Sequence, residues 1–276
     1  MFGSQSGRAM MAACVFLLAA PAVALGATQG ASSGIVSSQL TYQGVTGDAT
    51  GMVLTIKRSG QVVYRRPVTS PACSAGREIA PQCSPNSRHS VHVVDLQPGG
   101  EPNVVLDLFS AGNSVGDVEQ VFSYDPATKT YVRSEHEFDA IQASLEDLGH
   151  TGRDEFVSSD GSFTCKFAVC PYSGTPIEIL AFGDRRFTDV TASYPSLLAR
   201  DAAKWLRRYK THLSDGLGWI AAWAADEDLV GHSAQVQDYL TQQLKAGHLV
   251  SREGYPTGRR LIANLNKFLR KHGYLH

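Results

Sequence analysis

The chain has 276 residues, 43% of them hydrophobic and 18% charged, with a formal net charge of -1. That is an ordinary globular composition, long enough for a real core and for two domains, and nothing in it points to nucleic acid as a partner. The neutrality hides an asymmetry: residues 35–196 carry 12 Lys+Arg against 19 Asp+Glu, whereas residues 197–276 carry 12 against 7. The simplest expectation is two halves of opposite sign docked on one another. The sharper one is a basic half that meets an anionic wall polymer or a membrane surface.

At the N-terminus, Arg8 precedes an apolar run over residues 10–25, and Ala22, Ala24 and Gly26 supply the small-x-small pattern of a signal-peptidase site. Residues 1–26 therefore read as a signal peptide, and the protein as secreted, extracellular or in the cell envelope. No other stretch approaches the roughly 20 apolar residues of a membrane span, so none is expected after cleavage. Residues 27–38, rich in Ser, Gly, Gln and Ala without periodicity, read as a flexible leader.

Outside the signal peptide, which contains Cys14, the cysteines are Cys73, Cys83, Cys165 and Cys170. An even number in an oxidising compartment implies two disulfides. Of the three pairings, Cys73 with Cys83 and Cys165 with Cys170 are favoured: the first closes a short loop of turn formers, the second a tight hairpin, CKFAVC. The spacings do not fit a four-cysteine zinc site.

Residues 39–194 read as β structure. Alternating apolar and polar residues mark strands at 35–42 and 52–63, with a turn at Ser59-Gly60, and residues 71–88 form a stapled surface loop. Further strands follow at VVLDLF and VFSYD, with turns at residues 125–128 and at Gly183-Asp184. A phrase occurs twice within this region: DLQPGGEPNVVLD at residues 95–107 and DLGHTGRDEFVSSD at 147–160. Each has Asp-Leu, a Gly-bearing loop, an acidic residue, an apolar pair and a closing Asp. The starts are separated by a period that indicates one β unit built twice.

From Pro195 the period becomes 3.6. Leu198, Ala202, Trp205, Tyr209 and Leu213 share one face, and helices follow at residues 217–229, from Ser233 to the Gly247 stop, and from Thr257 to the Gly273 stop. Residues 195–276 are therefore a four-helix C-terminal domain. The fold class is α+β, with antiparallel, partly propeller-like β repeats ahead of an all-helical domain.

The doubled phrase resembles the DLDGDGxxE loops of FG-GAP and VCBS-type repeats, the blade modules of integrin-like β-propellers. The mature chain resembles secreted bacterial proteins that join a few such repeats to a helical C-terminal region, a functionally uncharacterised group. The resemblance implies calcium loops, whose oxygen ligands would be Asp95, Gln97 and Asn103 in the first copy and Asp147, Thr151 and Glu155 in the second. Both copies have lost most of the carboxylates that a hard cation requires. No cofactor is therefore expected, and Asp95 and Asp147 are read as acceptors of backbone N–H groups in Asx-type turns.

Catalytic motifs are rejected one by one. HEFDA at His136 lacks the second His of a zinc helix, and GLGWIA at Gly216 lies between helices instead of after a strand. Paired carboxylates remain, Glu101 with Asp107 or Asp154 with Glu155 and Asp160, as the acid and base of an envelope-polysaccharide hydrolase. Trp219 and Trp223, one turn apart, form a candidate sugar-stacking pair, set against a role in helix packing. The preferred expectation is a noncatalytic binding or scaffolding protein of the cell surface, its partner an extracellular protein or a cell-wall polymer.

Overall fold

The computed structural model describes residues 26–44, 49–74, 83–97, 100–110, 116–139, 141–251 and 253–275. The expected signal peptide lies outside the described residues except for Gly26, which opens the first strand. Three antiparallel sheets follow in chain order. The first is a meander of β1 (Gly26–Ser33), β2 (Val36–Gln43), β3 (Thr50–Arg58) and β4 (Gln61–Pro67). After a short helix, α1 (Pro71–Ser74), the second sheet is made of β5 (Cys83–Pro85) and β6 (Val91–Val94), both on one side of β7 (Asn103–Ser110), then β8 (Asp117–Asp125) and β9 (Thr130–Glu137). The third runs β10 (Ser144–Glu146), β11 (Glu155–Ser159), β12 (Ile177–Gly183) and β13 (Arg186–Asp189). Among the described residues no sheet closes on itself. The helices α2 (Pro195–Thr211), α3 (Leu217–Leu229), α4 (Ser233–Lys245) and α5 (Gly258–Lys271) complete an α+β fold.

The sheets stack, and the alternation of side chains in β7 and β8 shows why. Val104, Leu106, Leu108, Val118 and Phe122 join Leu40, Leu54 and Ile56 of the first sheet in one core. Val105 and Val121, one position out of phase, join Phe156, Leu180 and Phe182 of the third sheet in another. A strand buried on both faces reads as a continuous apolar run, and VVLDLF does so except at Asp107. The doubled phrase enters the second strand of the second sheet and the second strand of the third, so the repeat in sequence is a repeat in topology. The two loops also touch: the Asp154 N–H donates to the Asp95 carbonyl at 3.2 Å.

The expected flexible leader, residues 27–38, is instead β1 and the start of β2. Its order comes from polar anchoring that apolar periodicity cannot reveal. The buried Gln29 amide donates to Tyr42 Oη (3.0 Å) and to the Ser87 carbonyl (2.9 Å), and its oxygen accepts from Ser90 N–H (2.8 Å). Gln29→Ala should therefore cost about 2–3 kcal/mol, because it strands a buried N–H and a buried hydroxyl together. Urea unfolding of the variant measures it.

Cys165 and Cys170 are disulfide-bonded to each other. Their loop is not the expected hairpin. It lies between two 3-10 turns, Gly161–Phe163 and Cys170–Tyr172, because Phe167 and Ala168 are both buried and cannot alternate between faces. Cys83 is also disulfide-bonded, and the side chain of Cys73, its expected partner, lies outside the described residues.

Phe163 and Phe167 from this segment enter the helical core beside Phe268, Leu265 and Trp223. The halves meet through these rings and through hydrogen bonds: Tyr274 Oη to Asp160 (2.8 Å), Ile177 N–H to Asp201 (3.1 Å) and Tyr255 Oη to the Cys165 carbonyl (3.3 Å). Among the described residues no salt bridge joins the helices to the sheets. Among the described residues the docking of oppositely charged halves expected from composition has no ion pair behind it.

Candidate functional site

The residues singled out from the sequence go to several places. Asp147 holds the tip of the second doubled loop, its two carboxylate oxygens accepting from Thr151 and Gly152 N–H at 2.8 Å each, which lowers its pKa. Glu155 accepts from Leu148 N–H at 3.2 Å, and Thr151 is exposed. In the first copy Asp95 is exposed and Gln97 half-buried, while Asn103 has left the loop: it starts β7 and donates from Nδ2 to Ser123 Oγ at 2.8 Å. Gly99, between them, lies outside the described residues.

Two members of the expected carboxylate pairs have structural partners. Glu101 is bound to Arg58 Nε (2.7 Å) and Tyr131 Oη (2.9 Å), and Asp160 caps the first 3-10 turn and accepts from Tyr274. Trp219 and Trp223 are buried, the first against Tyr172 and His212, the second against Tyr239, so neither ring face is open to a sugar. The helix is almost wholly buried, and both of its faces carry apolar residues; the two tryptophans are core.

What the structure does assemble is an acidic cluster between the second and third sheets. Asp107 on β7 lies directly opposite Glu119 on β8, and Asp117 is two residues before Glu119, hence on the same face. All three are at least 95% buried, with one oxygen from each within 4.8 Å of the others. Asn86 Nδ2 bridges Asp107 Oδ1 (3.0 Å) and Asp117 Oδ1, Gln142 Nε2 donates to Asp107 Oδ2 (3.2 Å), and Ala143 N–H donates to Asp117 Oδ2 (2.8 Å). Burial, and then the charge of Asp107, pushes Asp117 up to about 8; burial, then Asp107 and Asp117, pushes Glu119 well above the usual carboxylate range.

Asp107 and Glu119 border a cavity of about 450 Å³ whose walls include His89, His92, Gln142 and Asp154. Burial lowers the pKa of His92 and raises that of Asp154. Asp107 was visible in the sequence as a carboxylate inside an apolar strand. Asp117 and Glu119 carried the same signal, alternate acids in DVEQVF, but it becomes readable only when that strand is known to be buried on both faces.

A second cavity, about 430 Å³, lies on the helical half. Asn264, Lys267, Phe268 and Lys271 present one face of α5 to it, and Lys166 enters from the disulfide loop. Phe167 and Leu261 contribute apolar wall, and the His272 ring stacks on Phe268. Among the described residues none of the three lysines is in a salt bridge.

No protein-family model and no curated protein matches the chain. A solved chain described as "Structure of a Xanthomonas Type IV Secretion System related protein" is similar at 16% identity and a TM-score of 0.26, over 59% of this chain and 92% of that one. Among the described residues no helix is long and apolar enough to cross a membrane.

Proposed function

We propose that the protein is a secreted, noncatalytic binding protein of the cell envelope, which holds an anionic cell-wall polymer against its helical half. The observation that carries this reading is the lysine-lined cavity beside α5. Three ammonium groups that form no salt bridge among the described residues surround a pocket with an apolar wall, the combination that a negatively charged sugar or phosphate-bearing chain fits. The Cys165–Cys170 disulfide, which closes the loop that carries Lys166, agrees with an oxidising compartment and supports the secreted reading of the N-terminal leader. The two stacked sheets that share the doubled loop are then degenerate FG-GAP/VCBS-type units, a frame for the helical half.

Binding of polygalacturonate, with dextran as the neutral counterpart, tests the reading. Affinity should be selective for the anionic chain and fall as salt is raised. The triple variant Lys166→Gln, Lys267→Gln, Lys271→Gln should bind roughly tenfold more weakly, on the scale of three partly screened contacts of about 0.5 kcal/mol each. Equal binding of both polymers, or of neither, contradicts the proposal. Release of new reducing ends would point instead to the hydrolase.

A further inference from the structure

We propose that Asp107, Asp117 and Glu119 form a divalent-cation site of the calcium class, built into the seam between the second and third sheets and separate from the doubled loops. Three observations carry it. One oxygen from each carboxylate lies within 4.8 Å of the other two, so a single small ion can touch all three. Glu119 is 97% buried and borders the cavity, and among the described residues its Oε2 has no hydrogen-bond partner, so the cluster contains a buried carboxylate oxygen left unsatisfied. Finally, among the described residues no Lys or Arg forms a salt bridge with any of the three. Three acids held together without a cationic side chain require either protons or a metal to offset their charge.

The donor set selects the kind of ion. Every group in the cluster offers oxygen, and Asn86 and Gln142 add amide oxygens if their carboxamides are turned over, an assignment set by the hydrogen-bond network. Three carboxylates and two amides approach the six to eight oxygens that calcium takes, and the cavity gives the remaining positions to water. Among the described residues no cysteine joins the cluster, and a softer metal would have to recruit His92 from the cavity wall. The doubled loops are a different matter, since Asp147 is not buried and, among the described residues, does not belong to a cluster of three acidic side chains.

The test uses the full mature chain, stripped with EDTA and exchanged into chelator-free buffer, followed by scanning calorimetry with calcium, magnesium or zinc chloride. Calcium should raise the melting temperature by about 5–10 °C once it is roughly a hundredfold above its Kd, and magnesium by less. Titration calorimetry should count one calcium per chain. Glu119→Gln and, independently, Asp117→Asn should abolish the rise, while Asp147→Asn should retain it. No response of the wild-type chain, a response kept by both cluster variants, a response lost in Asp147→Asn, or a larger response to zinc than to calcium overturns the assignment. None of these outcomes involves the lysine cavity, so the site stands or falls independently of polymer binding.

Discussion

Replacing Gly218 by alanine is expected to destabilise the protein by about 3 kcal/mol, although alanine is the better helix former by about 1 kcal/mol. Gly218 is in the first turn of α3. A Cβ built there would lie 2.4 Å from the Tyr172 carbonyl oxygen, 2.9 Å from Ser173 Cα and 3.1 Å from Gly174 N, all of them backbone atoms. The approach is reciprocal, because a Cβ at Gly174 would lie 2.7 Å from both Ala222 Cβ and the Gly218 carbonyl oxygen. Neither side has room to yield. Residues 172–174 are held by the Cys165–Cys170 disulfide and by Ser173 Oγ, which accepts from Cys165 N–H at 2.8 Å, and α3 is surrounded by the helical core.

The expected readout is a lower urea midpoint, with loss of near-ultraviolet circular dichroism from the buried tryptophans. Gly183→Ala is the control, since its added methyl meets nothing within 4 Å. A Gly218→Ala protein as stable as the wild type would mean that the two halves are not locked at this contact. The same geometry accounts for GLGWIA: its glycines at 216 and 218 permit close backbone approach, the first to Tyr209 and His212, the second to residues 172–174.

How much could be read from the chain depended on whether apolar pattern or polar pairing fixed each part. Three of the C-terminal helices and most of the hairpins follow from periods of 3.6 and two, α3 being apolar on both faces, and the Ser59-Gly60 turn takes the positive φ values that its residues suggested (49° and 81°). The strand β1 was illegible because its order depends on Gln29, whose partners are Tyr42, Ser87 and Ser90, up to 61 residues away. The tryptophan pair could not be placed by spacing alone: one turn apart describes a binding face and a core face equally. The acidic cluster was half legible. The doubled phrase drew attention to the acids in its loops, where hydrogen bonds to the backbone already satisfy Asp147, and past those in the strands, where burial makes a carboxylate costly. A carboxylate in a strand core carries more information than one in a turn.

That cost leads to the second prediction: the metal-free protein should lose stability as pH rises from about 4 to about 8. The sign follows from the direction of the shift. Asp117 stands at about 8 in the folded protein against an ordinary value of 3.8, so the folded state holds a proton that the unfolded chain has released over this interval. Stability is full below the unfolded value and declines as pH climbs through the folded one. Glu119, also raised, acts in the same direction. The groups facing them are Asp107 from β7, the neutral amides of Asn86 and Gln142, and the Ala143 N–H; of the cavity wall, burial lowers the pKa of His92, His89 is exposed, and Asp154 is itself an acid. Among the described residues no Lys or Arg forms a salt bridge with the three acids. The loss attributable to Asp117 is at most about 5 kcal/mol at 1.4 kcal/mol per pH unit. Glu119→Gln removes a buried acid that must be kept protonated when the unfolded chain would release its proton, and supplies an amide donor, so it should raise metal-free stability at pH 8 by roughly 2 kcal/mol while changing it little at pH 4. Chemical unfolding of both proteins in EDTA across this range measures the slopes. Parallel slopes would place the pH dependence elsewhere. A flatter slope in the variant would show that the fold tolerates an electrostatic penalty at the seam between its sheets, a penalty that a bound calcium ion would reverse.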